Sequence, residues 1–348
     1  MSILIFDLEE AEARASGAES RAEGFESRAE GAEACGIGHQ LTRLTDWRLA
    51  PLEWRRFEDG EFKLRPLCEV RDQRVIVVAR AATSSVHDRL VAVGLLLSAL
   101  RRQRPSELVL VLPCLPYARK DRTTQARDPL SLQWMARMLS LGGLSSVWTF
   151  EPHEPAAAEN AFDCPVHVLS MADWLALTLH RPALESGVER AVDVVASPDA
   201  GGVRRALAVR ARISEAGGQS LGFALMDKHR EAGVLSGDPR VVGEVAGLRV
   251  LVVDDQVVSG ASLARAVLAL RQAGALEVHA LLGHGRPDQA VYERLQAAGL
   301  QSMVVSDSLA WPADEAAARP MYCEIRSMVP LLARRLQEVL TPGKTIGV

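Results

Sequence analysis

Leu248 to Leu263 reads LRVLVVDDQVVSGASL, a short apolar run that meets two acids and then a turn of small residues. The run Val250 to Val253 is too short for a helix and is bracketed by polar residues, which predicts a strand buried on both faces, as in parallel sheets. Asp254 and Asp255 follow at the strand's C-terminal end, the edge at which open α/β sheets bind ligands. Ser259, Gly260, Ala261 and Ser262 then lead into a helical segment, LARAVLALRQAG. A small-residue turn at a helix N-terminus offers backbone N–H groups to a phosphate. The acids suit sugar hydroxyls or a divalent metal instead. A plain βα turn with an acidic N-cap has the same spacing.

The same alternation recurs along the chain. Ser2–Phe6, RVIVVAR (74–80), ELVLVLP (107–113), VHVLS (166–170), AVDVVAS (191–197), SLGFALM (220–226), VHALLGH (278–284) and QSMVVSD (301–307) read as strands. Helical stretches fall between them, at 87–103, Ser131–Leu141, Gly202–Arg210 and, last, Val329–Leu340. Strands spaced by helices build α/β units with a parallel sheet flanked by helices on both faces. There are too many strands for one small sheet, and the pattern restarts near residue 170, so two similar domains are expected.

A chain of 348 residues with 48% hydrophobic and 24% charged residues has the make-up of a globular protein with a sizeable core. The net charge of −4 gives no reason to expect nucleic acid as a partner. Five scattered cysteines, with no metal-ligand spacing, read as free thiols in a reducing cytoplasm. Nothing reaches the length of a membrane span. Residues 12–32 are three tandem seven-residue copies, EARASGA, ESRAEGF and ESRAEGA. Their recurring apolar positions are mostly Ala, and an interior Gly costs a helix about 1 kcal/mol, so a poorly ordered or frayed-helix insert with no catalytic role is expected rather than a coiled coil.

Five loop clusters carry candidate chemistry. Phe57-Glu-Asp-Gly-Glu61 is a D-G turn of the kind that closes a hairpin. Pro116-Tyr-Ala-Arg-Lys-Asp-Arg122, continuing to Arg127, sets cations directly after a buried strand, where guanidinium groups grip phosphates in pairs of bonds. Glu151-Pro-His153 puts an imidazole at a strand end, open to a metal or its water. Ser197-Pro-Asp-Ala-Gly-Gly-Val-Arg-Arg205 has Asp199 for a hydroxyl or Mg²⁺, and a Gly pair that allows close backbone approach. Asp227-Lys-His-Arg230 opens a Gly-containing loop whose Lys228 and Arg230 suit a lid over phosphates. No Ser/His/Asp or Cys/His arrangement stands out.

FEDGE, PYARKDR with RDPLS, SPDAGGVRRA, DKHR and VVDDQVVSGAS together resemble, in order and spacing, the motifs of ribose-phosphate diphosphokinases, over residues from about 33 to 340. The resemblance implies two tandem type I phosphoribosyltransferase-like domains, at 1–168 (ATP side) and 169–308 (ribose 5-phosphate side). It also implies a segment, 309–348, that returns to the first domain, and assembly as a homo-oligomer. It implies Mg²⁺-dependent pyrophosphoryl transfer from ATP to ribose 5-phosphate with release of AMP. Carried over, Phe57, Asp59 and Glu61 lie around adenine, and Arg119, Asp121 and Arg127 bind ATP. His153 and Asp199 stand at the metal, Lys228 and Arg230 neutralise the transferring phosphates, and Asp199, Asp254, Asp255 and Ser259–Ser262 bind ribose 5-phosphate. Departures from the family pattern are Glu151-Pro152-His153 for the usual D-L-H, Lys120 for a glutamine and, in the loop, Gln256 for an apolar residue, Val258 where an Asp is expected and Ala261 for a Gly, which requires a negative φ there. They leave open a shifted sugar-phosphate preference, a non-catalytic homologue regulating an active synthetase, or a phosphoribosyltransferase of the same fold.

Overall fold

The computed structural model describes residues 3–15, 36–80, 85–179, 192–227, 230–231, 234–235, 240–311, 318–320 and 322–342. They divide into two compact units. Unit 1 takes the chain up to Leu169, the stretch from Ser308 to Trp311 and the helix beginning at Val329; unit 2 takes Ser170–Asp307 and a strand at Cys323–Arg326.

In unit 1 the strands are β1 (Ile3–Asp7), β2 (Arg48–Leu49), β3 (Leu52–Arg56), β4 (Phe62–Pro66), β5 (Arg74–Val78), β6 (Glu107–Val111), β7 (Ser146–Phe150) and β8 (Val166–Leu169). Six of these form a parallel sheet in the order β2-β1-β5-β6-β7-β8, and β3 and β4 pair separately as an antiparallel hairpin. The helices are α1 (Leu8–Ala15), α2 (Ile37–Leu44), α3 (Val86–Arg102), α4 (Ser131–Ser140) and α5 (Pro155–Ala161). Phe6, Val77, Leu110 and Val147 from the strands join Leu96, Leu97, Leu100 and Leu139 from the helices in one core, each all but fully buried. A buried side chain of this size contributes about 1.5–3 kcal/mol. α3 starts at Ser85, whose Oγ accepts the His87 N–H at 3.2 Å, and ends with Arg101 and Arg102, the charges its C-terminus prefers.

Unit 2 contains β9 (Val194–Ser197), β10 (Gly222–Asp227), β11 (Arg230–Glu231), β12 (Val234–Leu235), β13 (Arg240–Val242), β14 (Arg249–Val257), β15 (Glu277–Gly285), β16 (Ser302–Ser306) and β17 (Cys323–Arg326). Its helices are α6 (Met171–Leu179), α7 (Val203–Gly217), α8 (Ala261–Gln272) and α9 (Gln289–Ala297). Seven strands form a sheet in the order β13-β10-β9-β14-β15-β16-β17. All neighbours in it are parallel except β10 and β13, so the sheet is not purely parallel as expected but carries an antiparallel edge.

Two expectations need correction. The segment 309–348 does not return whole: β17 pairs with β16 in unit 2, whereas the helix Val329–Leu340 packs on α2 in unit 1. β17 has only four residues, and the hydrogen bonds that hold it come from β16, not from any pattern of its own. The start of the first repeat copy, Glu12–Ala15, lies in α1, and Glu12 bonds the buried Arg89; residues 16–32 lie outside the described residues. Finally, β14 does not stop before the acids. It runs through Asp254 and Asp255 to Val257, held by β15 in the registers Asp254–Leu282, Gln256–His284 and Val257–Gly285.

Candidate active site

In each sheet two neighbouring strands send their connections in opposite directions, β1 with β5 in unit 1 and β9 with β14 in unit 2. That leaves a crevice outside their C-terminal ends, the usual ligand position in such folds.

In unit 2 the register of Val252 with Ala196 sets the β9 loop beside the acids of β14. Asp199 caps the short turn Ala200–Gly202, its Oδ1 accepting the Gly202 N–H at 3.2 Å. The buried Ser197 hydroxyl donates to the Asp199 carbonyl at 2.7 Å, and a Cβ on Gly202 would come within 2.7 Å of that hydroxyl. Gly202 is therefore required by its neighbour, and the SPDAGG loop has one tightly fixed shape. Asp254 is half-buried and Asp255 buried, and the Asp255 N–H donates to Asp254 Oδ1 at 2.9 Å. Burial, then the adjacent Asp255, pushes the Asp254 carboxyl up to about 7, with Arg205 pulling the other way. Arg205 was not among the expected site residues; its position one turn into α7 brings its charge to this pair.

The turn after β14 is open. Val258, Ser259, Ala261 and Ser262 are exposed, and Gly260 takes a left-handed φ of +69°. α8 has no side-chain cap on its first turn, and the Ala261 N–H reaches only Ser259 Oγ, at 3.4 Å. Ala261 is not among the residues of positive φ, so its methyl is tolerated. The turn thus presents N–H groups and the positive end of a 12-residue helix to an anion. Lys228 lies outside the described residues, and of Arg230 only the backbone, in β11, is described.

In unit 1 the hairpin closes as expected. Phe57 N–H donates to the Glu61 carbonyl at 2.7 Å, Asp59 Oδ1 accepts the Glu61 N–H at 3.0 Å, and Gly60 takes φ +91°. Phe57 is 40% exposed, and the Arg55 guanidinium lies over its ring, 5.0 Å from the centre. The basic loop lies exposed at Arg119 and Arg127, whereas the Asp121 carboxyl is turned inward and pairs with Arg122 at 3.2 Å. Both features hang on the first turn of α3. Arg56 pairs with Asp88 at 3.2 Å, and the Tyr117 hydroxyl bonds His87 Nδ1 at 2.8 Å. Sequence reasoning passed over His87 and Asp88, since only the helix placement shows that they tie two distant loops together. Tyr117, Arg127 and Glu151 all adopt positive φ, a costly conformation for such residues and one that clusters at functional sites. His153, two residues past Glu151, is exposed at the end of β7.

The expected metal pair is divided between the units, His153 in unit 1 and Asp199 in unit 2. Among the described residues no group of three or more His, Cys, Asp or Glu forms a cage for an ion. In unit 2, Asp199 is a carboxylate of the kind Mg²⁺ takes, the rest of its shell being filled by water and substrate phosphates. In unit 1, His153 is a nitrogen donor, which Mg²⁺ meets through water.

Comparison with known proteins assigns residues 30–143 to the N-terminal domain of ribose phosphate pyrophosphokinase and 182–313 to the phosphoribosyl transferase domain. The chain is 29% identical over 294 residues to a ribose-phosphate pyrophosphokinase of Hyphomonas neptunium, covering 84% of this chain and 90% of that one. It is 32% identical over 254 residues to one of Cereibacter sphaeroides, covering 73% and 72%. The crystal structure of phosphoribosylpyrophosphate synthetase from Mycobacterium smegmatis superposes with a TM-score of 0.77 at 24% identity, over 99% of this chain and 100% of that one, which establishes the shared fold.

Proposed function

The chain belongs to the ribose-phosphate pyrophosphokinase family, and from that premise we propose that it transfers the pyrophosphoryl group of Mg-ATP to the anomeric hydroxyl of ribose 5-phosphate. The observation that carries this reading is the unit 2 crevice, where a carboxylate pair stands beside an uncapped helix N-terminus. That is complementary to a molecule with hydroxyls at one end and a phosphate at the other.

Asp254 and Asp255 accept hydrogen bonds from the ribose hydroxyls, and the N–H groups of Ser259–Ser262 hold the 5-phosphate. The anomeric oxygen attacks the β-phosphorus as the bond to the bridging oxygen of the α-phosphate breaks, and AMP leaves. Lys228 and Arg230 neutralise charge as it shifts toward AMP; one such contact is worth about 3–4 kcal/mol of barrier. Phe57, with Asp59 and Glu61 on the same turn, stacks and fixes adenine. Arg119 and Arg127 grip the ATP phosphates, and Asp121 holds the loop through Arg122. Asp199 of unit 2 and His153 of unit 1 would each offer Mg²⁺ a donor, and the ion would supply charge neutralisation on the phosphates. No covalent nucleophile is needed, because alignment and charge balance suffice for this transfer.

We assign the activity to a cytoplasmic homo-oligomer; exposed Leu130, Trp134 and Leu141 along α4 give unit 1 an apolar strip suited to self-association. The exposed Val258 favours one second reading, a homologue with shifted sugar preference or a regulatory role. Purified protein given ATP, Mg²⁺ and ribose 5-phosphate should release AMP only when the sugar phosphate is present. Absence of AMP from a protein that still binds ATP would overturn the enzyme reading in favour of the regulator.

A further inference from the structure

β14 extends past the acids, and its alternation sorts the residues around them. Asp254 and Gln256 are half-buried on one face, while Asp255 and Val257 are buried on the other. Val257 packs so closely on Gly285 that a Cβ there would come within 2.4 Å of it. Gln256 stands in register with the buried His284, yet its amide has no hydrogen-bond partner among the described residues. Among the described residues it is not a buried unsatisfied group, so solvent reaches the amide and a ligand can as well.

Its place along the strand says which part of a ligand it meets. Gln256 lies roughly 6.6 Å beyond Asp254, toward the open turn Ser259–Ser262. It therefore falls between the carboxylates that take ring hydroxyls and the turn that takes the phosphate. The carboxyls meet the ring hydroxyls, whereas the ring and phosphoester oxygens of a sugar phosphate only accept hydrogen bonds. A donor is needed between the two ends. Val258, 55% exposed and apolar, supplies none.

We propose that Gln256 is a specificity-determining residue whose amide NH₂ donates to the ring or phosphoester oxygen of the bound pentose phosphate. The proposal rests on the reading of unit 2 as the ribose 5-phosphate side. It is tested with Gln256→Met, which keeps size and loses the donor, and Gln256→Glu, which keeps shape and is acceptor-only. Both should raise KM for ribose 5-phosphate about tenfold and leave KM for ATP and the melting temperature unchanged. The shift in melting temperature caused by ribose 5-phosphate alone should shrink in step. A KM and a ligand-induced shift equal to those of the unsubstituted protein would overturn the assignment. If the unsubstituted protein makes no AMP but is stabilised by ribose 5-phosphate, and Gln256→Met abolishes that, the Gln256 assignment stands and the enzyme reading falls.

Discussion

The two crevices sit at the same topological position and are furnished in opposite ways. In unit 2 the strand β14 carries Asp254 and Asp255 to the edge, and the helix that follows begins without a side-chain cap. In unit 1 the corresponding strand β5 is followed by Arg80, 3% exposed, whose guanidinium pairs with Glu9 of α1 at 2.6 Å. Arg89, equally buried, bonds Glu12 of the same helix and lies 5.7 Å from the Trp54 ring. Asp7, at the end of β1, accepts the Gly38 N–H at 2.6 Å and the Glu9 N–H at 2.9 Å. The helix after β5 has its first turn capped by Ser85. In unit 1 these charges tie the chain to itself and make the crevice a structural lock, whereas the unit 2 edge carries two adjacent carboxylates and a helix start without a side-chain cap, the features on which the proposed function rests.

That contrast predicts that equivalent substitutions damage different properties. Arg80→Ala should cost about 3–5 kcal/mol of stability, because it leaves a buried carboxylate without its partner. Burial already pushes the Glu9 carboxyl up against the pull of Arg80, so losing the arginine removes what keeps it charged. Chemical denaturation would read this, and kcat/KM of the remaining folded fraction should change little. If Arg80→Ala folded normally but lost turnover, unit 1's crevice would be a ligand site and the contrast would fail.

The complementary change in unit 2, Asp254→Ala, should spare the fold and cost activity. Hydrogen bonds to a charged acceptor are worth about 1.5–3 kcal/mol each, so removing two such bonds to the ribose corresponds to roughly 10²-fold or more in kcat/KM. Steady-state kinetics beside a melting curve would separate the two effects; an unchanged kcat/KM would remove the carboxylate pair from the site.

How much of this contrast was legible beforehand follows from its physical origin. The unit 2 edge is written locally: an apolar run, two acids and small residues lie within sixteen positions, so strand, turn and helix could be read in place. The unit 1 lock is not, because Glu9 and Arg80 are separated by 71 residues and meet only when β1 and β5 pair. His87 and Asp88 were missed for the same reason. Short elements escaped as well: α5 is seven residues, mostly Ala, and β17 is four, so neither has room for a period. The extension of β14 through the acids was hidden because polar residues at a sheet edge look like a loop, and only pairing with β15 shows otherwise.

A third test uses pH to sharpen the electrostatic half of the comparison. The Asp254 carboxyl sits near 7 when folded and near 3.8 when unfolded. The folded state therefore binds the extra proton between those values, and stability contributed by that proton is lost as pH rises from about 4 through 7. Asp254→Asn should be about as stable as the unsubstituted protein at pH 4.5. At pH 8 it should be more stable by about 1–2 kcal/mol, a figure discounted for the solvent that reaches this half-buried group. An equal difference at both pH values would mean that burial and the adjacent Asp255 do not raise the Asp254 carboxyl.

The smallest effect is expected at Ala261, where the open turn departs from the family's glycine. Its neighbour sets the standard. Gly260 needs a left-handed φ of +69°, and a Cβ there would come within 2.8 Å of the Val291 Cγ1, so Gly260→Ala should be harmful on two counts. Ala261 has neither problem: it opens α8 outside the positive-φ residues, and its side chain faces solvent. Ala261→Gly should then change kcat/KM by less than about twofold and cost less than about 1 kcal/mol, the upper limit for a glycine in a helix. A fall in KM for ribose 5-phosphate of more than tenfold in Ala261→Gly would show the methyl to be standing in the phosphate's place. In that case unit 2's edge would be partly closed by its own chain, as unit 1's is, and the two crevices would differ in degree rather than in kind.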